Sequence, residues 1–103
     1  MLILPEKLVR DRIPDIIRKI GGDPQVRVVS GSELDKFIRL KVVEEAQELL
    51  NSGDDEEIAD ILETIEALLV HRSIDRETIE KARLKKREER GGFEKGYVLD
   101  MQE

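Results

Sequence analysis

Apolar residues recur every three or four positions along much of the chain, and glycine, serine, aspartate and proline punctuate the runs. The spacing predicts a short helix over Ile13–Ile20, with Pro14 in its first turn and Gly21-Gly22 as its stop. Ser32 is placed to cap a long helix from Glu33 to about Asn51, whose stripe is Leu34, Phe37, Ile38, Val42, Leu49 and Leu50. Ser52-Gly53-Asp54 breaks it. Asp54 then caps a helix from Asp55 to about Arg72, with Ile58, Ile61, Leu62, Ile65, Leu68 and Leu69 on one face. So short a break predicts an antiparallel helical hairpin. Asp75 caps a further helix, Arg76 to about Arg90, which has a meagre apolar face (Ile79, Ala82, Leu84) and ends at Gly91-Gly92. Two stretches read as extended. Gln25–Ser30 alternates, and Tyr97-Val98-Leu99 follows a turn at Gly96, so the two are expected to pair as strands. The expected fold is all-α, a mainly helical bundle with a minor β element.

Composition narrows this picture. A chain of 103 residues holds one domain at most. Charged residues make up 41% and aromatics 3%. Leu, Ile, Val and Phe still number 33, enough to bury a core, though a thin one. The last helix offers little apolar cover, so a homodimer or larger assembly is expected, two hairpins packing as a four-helix bundle.

The charge is unevenly placed. The net value is −6, but Val42 to His71 holds ten Asp or Glu and no Lys or Arg. A one-signed block repels itself and needs solvent, a partner surface or a cation. Nucleic acid is not expected as a partner, because its phosphates would be repelled. The absence of cysteine excludes thiolate chemistry, and a single histidine, His71, excludes a multi-histidine metal site. His71 falls near a helix C-terminus, where a cationic ring is favoured, and is assigned no chemistry. No apolar run approaches a membrane span. The apolar start Met1–Leu4 meets Pro5, Glu6 and Lys7 and does not read as a secretory signal. A cytoplasmic protein is expected.

Two patterns inside the block carry candidate chemistry. Glu44-Glu45-Ala46-Gln47-Glu48 places Glu45 and Glu48 on one helix face, and Glu57-Ile58-Ala59-Asp60 does the same for Glu57 and Asp60. In an antiparallel hairpin both pairs fall near the same end of the bundle. Converging carboxylates raise one another's pKa, a penalty that a hard divalent cation removes. The alternative reading is a pair of solvated helix faces, since Glu is a strong helix former and acids favour first turns.

At these residues the sequence resembles the MazG-like all-α nucleotide pyrophosphohydrolases, which carry an ExxE on one helix and an ExxD on the next. Lys41-Val42-Val43-Glu44-Glu45-Ala46 and Ile58-Ala59-Asp60-Ile61-Leu62-Glu63 are similar to the surrounding segments of that superfamily. Lys7-Leu8-Val9-Arg10-Asp11-Arg12-Ile13-Pro14 and Arg90-Gly91-Gly92-Phe93-Glu94-Lys95-Gly96 resemble the opening and tail of a subgroup described as predicted house-cleaning NTP pyrophosphatases. The resemblance implies hydrolysis of a nucleoside triphosphate to monophosphate and pyrophosphate with Mg²⁺, or Mn²⁺ in its place. Glu45, Glu48, Glu57 and Asp60 would be the metal ligands. Glu45 and Glu44 are the catalytic candidates, with Glu44 supporting a ligand or orienting the water, or else simply solvated. Lys41 is a candidate for substrate phosphate, or for an ion pair with Glu45 one turn away. Arg10, Arg12, Lys86 and Arg90 are further phosphate candidates. Phe93 would stack on the nucleoside or anchor the tail. Phosphoribosyl-ATP pyrophosphatase shares the central motifs and is one alternative. A non-enzymatic helical interaction module is the other.

Overall fold

The computed structural model describes residues 5–102, so the apolar start Met1–Leu4 lies outside it. Four helices form among the described residues: α1 (Ile13–Lys19), α2 (Gly31–Ser52), α3 (Glu56–Arg72) and α4 (Arg76–Arg90). They fall into two compact units, one ending at Ser73 and the other running from Ile74.

In the first unit α2 and α3 pack along their length. Only residues 53–55 join them, and Gly53 makes the stop. Its φ of 70° is left-handed, and its N–H bonds the Leu49 carbonyl at 2.9 Å. The pair is antiparallel, because the last turn of α3 meets the first turns of α2. Arg72 donates to Asp35 through Nε at 2.7 Å and Nη2 at 3.0 Å, and His71 Nε2 lies 3.1 Å from the Gly31 carbonyl. A carbonyl only accepts, so Nε2 carries the proton. His71 thus ties the hairpin together. It sits in the last turn of α3, and its bond is to α2.

The core is thin. Among the described residues Ile38 and Leu69 are the buried apolar side chains, and Glu45 and Thr64 are also buried. Thr64 satisfies its hydroxyl on the Ile61 carbonyl at 2.7 Å. A polar pair thus occupies the hairpin interior. Before α2, residues 24–30 run without helix, and Arg27 holds them to the first unit. It pairs with Glu6 at 2.9 Å and Glu33 at 3.0 Å, and its guanidinium lies over the Phe37 ring at 5.6 Å.

The second unit is α4 and its tail. Asp75 caps α4 by accepting from the Glu77 N–H at 3.1 Å. Ile79 and Leu84 are exposed, as are Phe93, Tyr97, Val98 and Leu99.

The all-helical class is as expected, but the minor β element is absent: no strand forms among the described residues. Gln25–Ser30 alternates, yet no strand lies beside it, and a lone strand leaves its backbone groups unpaired. Val28 is 95% exposed. Two caps also differ. α2 begins at Gly31 after Ser30, earlier than the Ser32 cap implied, and α3 begins after Asp55 rather than Asp54. No described helix is long and apolar enough to cross a membrane.

Candidate metal centre

Positions 41, 44, 45 and 48 share one face of α2, and 57, 60 and 64 share one face of α3. The short connection sets the second half of α2 against the first half of α3. Two carboxylate triads result: Glu44, Glu45 and Glu48, and Glu45, Glu57 and Asp60. Within each, one ligand oxygen per residue lies within 4.8 Å of the others. The four expected ligands therefore do not form one ring. They form two groups hinged on Glu45.

Glu45 is 7% exposed, and its Oε2 is buried without a hydrogen-bond partner; the same is true of Glu57 Oε2. Buried carboxylate oxygens are ordinarily paired. Burial, reinforced by the negative charge of Glu48, pushes the Glu45 carboxyl above its usual range, and Lys41 offsets only part of this. The donor set suits a hard divalent cation. Oxygens around Mg²⁺ stand about 2.1 Å from it, hence at most ~4.2 Å apart. Neighbouring oxygens on such an ion stand about 3 Å apart, so a triad within 4.8 Å would draw together by up to about 1–2 Å, within the reach of side-chain rotation, to hold one.

Among the described residues three cations already lie against these acids. Lys41 Nζ is 3.1 Å from Glu44 Oε2 and 3.4 Å from Glu45 Oε1. Its ion pair with Glu45 is therefore formed. Lys7 Nζ is 3.1 Å from Glu44 Oε1, and Arg10 Nη2 is 2.8 Å from Asp60 Oδ1. Burial raises the Glu44 carboxyl, but hydrogen bonds from Lys7 and Lys41 outweigh it and hold the group below its ordinary value. Glu44 thus stays ionised, with each oxygen on a different lysine. Nothing local in the sequence marks Lys7, whose partner is 37 residues away.

Beside the acids lies a cavity of about 580 Å³. Arg10, Lys41, Glu45 and Asp60 line it together with apolar Leu8, Leu34, Ile38, Ala67 and Val70. Its lining includes no Phe, Tyr or Trp, and His71 supplies its one ring.

The structure thus brings together Arg10, Lys41, Glu44, Glu45, Glu48, Glu57 and Asp60. Arg12 is not brought to the acids. It is the exposed residue at the N-terminus of α1 and does not line the cavity. Lys86, Arg90 and Phe93 belong to the second unit, where all three are exposed, Phe93 at 99%. Phe93 therefore makes no packed anchor for the tail there. Comparison with known proteins returns no matching family, no matching curated protein and no matching solved structure.

Proposed function

We propose that this chain is a divalent-cation-dependent hydrolase that splits nucleoside triphosphates into monophosphate and pyrophosphate. The observation that carries the reading is Glu45: a buried carboxylate with an unpartnered oxygen, shared by two acidic triads on facing helices. The similarity of the EExxE and ExxD segments to nucleotide pyrophosphohydrolases supplies the reaction.

In this reading Glu45, Glu57 and Asp60 hold one cation, and Glu48 with Glu44 and Glu45 offers a second set of oxygens. Mg²⁺ or Mn²⁺ bound there supplies polarisation of phosphoryl oxygens and an activated water. Glu44, ionised and held by Lys41, would accept a hydrogen bond from such a water and aim it. Lys41 and Arg10 face the phosphates, whose charge the acids alone would repel. The neighbouring cavity receives the nucleoside against largely aliphatic walls. Lys86, Arg90 and Phe93 remain candidates for the same substrate.

The working unit in this reading is a dimer. Val43 and Leu50 on α2 and Ile58 and Leu62 on α3 are exposed apolar residues on the hairpin, from 45% to 83% accessible. A second hairpin laid on them completes a four-helix bundle.

The test is pyrophosphate release from a panel of nucleoside triphosphates, with phosphoribosyl-ATP included, in Mg²⁺. Pyrophosphate from a triphosphate is expected, and Glu45→Gln and Asp60→Asn are expected to abolish it. Full activity in either variant would overturn the site. No turnover, combined with a melting temperature unmoved by Mg²⁺ or Mn²⁺, would favour the interaction module.

A further inference from the structure

Five carboxylates make up the two triads, and among the described residues three cations stand against them, which leaves two negative charges. The three cations are not equivalent. Lys41 is fixed on α2 and its side chain is 17% exposed. Lys7 and Arg10 precede α1, on a stretch that is neither helix nor strand, and their side chains are 53% and 58% exposed. Each of these two reaches the acids across 37 or 50 residues of chain. Both take an oxygen of a residue that shares a triad with Glu45, and Asp60, the partner of Arg10, stands with both residues whose buried oxygens are unpartnered, Glu45 and Glu57. Glu45 is more than nine-tenths buried and belongs to both triads, so the cluster has a built interior rather than only a charged surface.

We propose that Lys7 and Arg10 form a cationic strap that holds acidic oxygens in the metal-free chain and is handed over to phosphate when a divalent cation arrives. This rests on the cation-site reading above and adds to it the role of the segment Lys7–Arg10. A divalent cation carries the same two positive charges as Lys7 and Arg10 together, so it can take their place on the carboxylates with no change in the cluster's charge. The carboxylates then no longer need the strap, and an arginine or lysine freed beside a metal-bound polyphosphate finds a stronger anionic partner than a cation-bound carboxylate. Lys41 lacks this freedom and stays on Glu44. Lys7 and Arg10 are thus positioning residues with two partners in sequence, first carboxylate and then phosphate.

The two halves of the exchange have opposite signs, and a merely structural ion pair does not reproduce that. The probes are Mn²⁺ alone and inorganic pyrophosphate, titrated by calorimetry into the full chain and into a Lys7→Gln/Arg10→Gln variant. Without the strap, Mn²⁺ binding is expected to tighten about two- to five-fold per pair removed, the range of an exposed ion pair written as an equilibrium factor. Pyrophosphate binding to the Mn²⁺-loaded variant is expected to weaken about ten-fold or more. In the wild type, hydrogen exchange over residues 5–12 is expected to speed up on adding Mn²⁺ and to slow again on adding pyrophosphate. Weaker Mn²⁺ binding by the variant, or slower exchange with Mn²⁺, would overturn the strap while leaving the cation site standing. Unchanged pyrophosphate affinity would overturn the handover. Mn²⁺ bound by neither protein would overturn the cation site, and the strap with it.

Discussion

Glu45→Gln is the sharpest test of the hairpin interior, because it keeps the shape of the side chain and removes only its charge. In the absence of divalent cations the exchange is expected to stabilise the protein. Glu45 is 7% exposed and its Oε2 has no partner. A buried polar atom left unsatisfied costs about 1–3 kcal/mol, and more when it is charged; glutamine keeps the unpaired atom and removes only the added cost of the charge. Against this stands the loss of one ion pair, Lys41 to Glu45 Oε1 at 3.4 Å. That pair is largely buried, so its own desolvation offsets much of its attraction, and Lys41 is not stranded by the loss because it keeps Glu44 at 3.1 Å. The difference is a gain of about 1 kcal/mol. For a folded unit of this size it raises the melting temperature by about 4–8 °C.

With a saturating divalent cation the order reverses. A ligand present at a hundred times its dissociation constant stabilises the native state by about 2.7 kcal/mol. The wild type gains this and the variant does not. Thermal melts of both proteins in EDTA and in Mn²⁺ therefore cross in rank. Glu56→Gln, outside both triads, serves as the control and is expected to stay within about 0.5 kcal/mol of wild type. A Glu45→Gln protein that melts several degrees lower in EDTA would show that Oε2 is satisfied in the folded chain. One that keeps the full Mn²⁺ shift would remove Glu45 from the site.

Other expectations follow from contacts away from the acids. The Arg72 hydrogen bond holds the Asp35 carboxyl at about 2, below its ordinary 3.8. Its folded-state value is depressed, so its stabilisation is present above about pH 4 and is lost as pH falls towards 2. Urea midpoints of wild type and Asp35→Asn should differ at pH 5 and converge by pH 2. Ser73 closes α3 at φ 53°, in the left-handed region. Ser73→Gly is expected to stabilise the protein by about 0.5–1 kcal/mol in urea titrations, since only glycine adopts that conformation without strain. Leu62 is 61% exposed on α3. Leu62→Glu is expected to turn a dimeric mass in light scattering into a monomeric one, and a monomeric wild type at micromolar concentration would refute the four-helix assembly.

Local patterns were readable from the chain, and contacts between distant segments were not. The stripes of α2 and α3 follow the helical repeat, so both helices and their short connection are legible from apolar spacing. So are the pairs Glu45/Glu48 and Glu57/Asp60, because i and i+3 share a helix face whatever surrounds them. The start of α2 is less so. Composition does not tell Ser30 from Ser32 as the cap; α2 starts after Ser30, whose carbonyl accepts from the Leu34 N–H at 3.2 Å while its side chain makes no cap bond. The strand reading of Gln25–Ser30 failed for a related reason. Alternation describes a chain that can sit in a sheet, but it does not supply the neighbour that the sheet requires. Arg10 was singled out from its motif, yet its bond to Asp60 spans 50 residues and has no periodic signature. Lys7 has none either.

The thin core and the acidic centre have one origin. Ile38, the most deeply buried apolar side chain in α2, is 3% exposed, and Glu45 stands seven residues further along the same helical stripe. The repeat that calls for a leucine at that position delivers a carboxylate instead. Burying a leucine there would contribute about 1.5–3 kcal/mol. The chain forgoes that and carries a desolvated charge in its place. Across the hairpin Thr64, also buried, turns its hydroxyl onto its own helix and gives the carboxylate no hydrogen bond. Stability withheld at one interior position, with its polar atom left unpaired, is the pattern expected where a binding site has been set into a core. The same position then cannot serve both ends. A substitution that completes the apolar stripe at Glu45 strengthens the hairpin and removes the one residue common to both triads, so in this fold packing and cation binding compete for a single side chain.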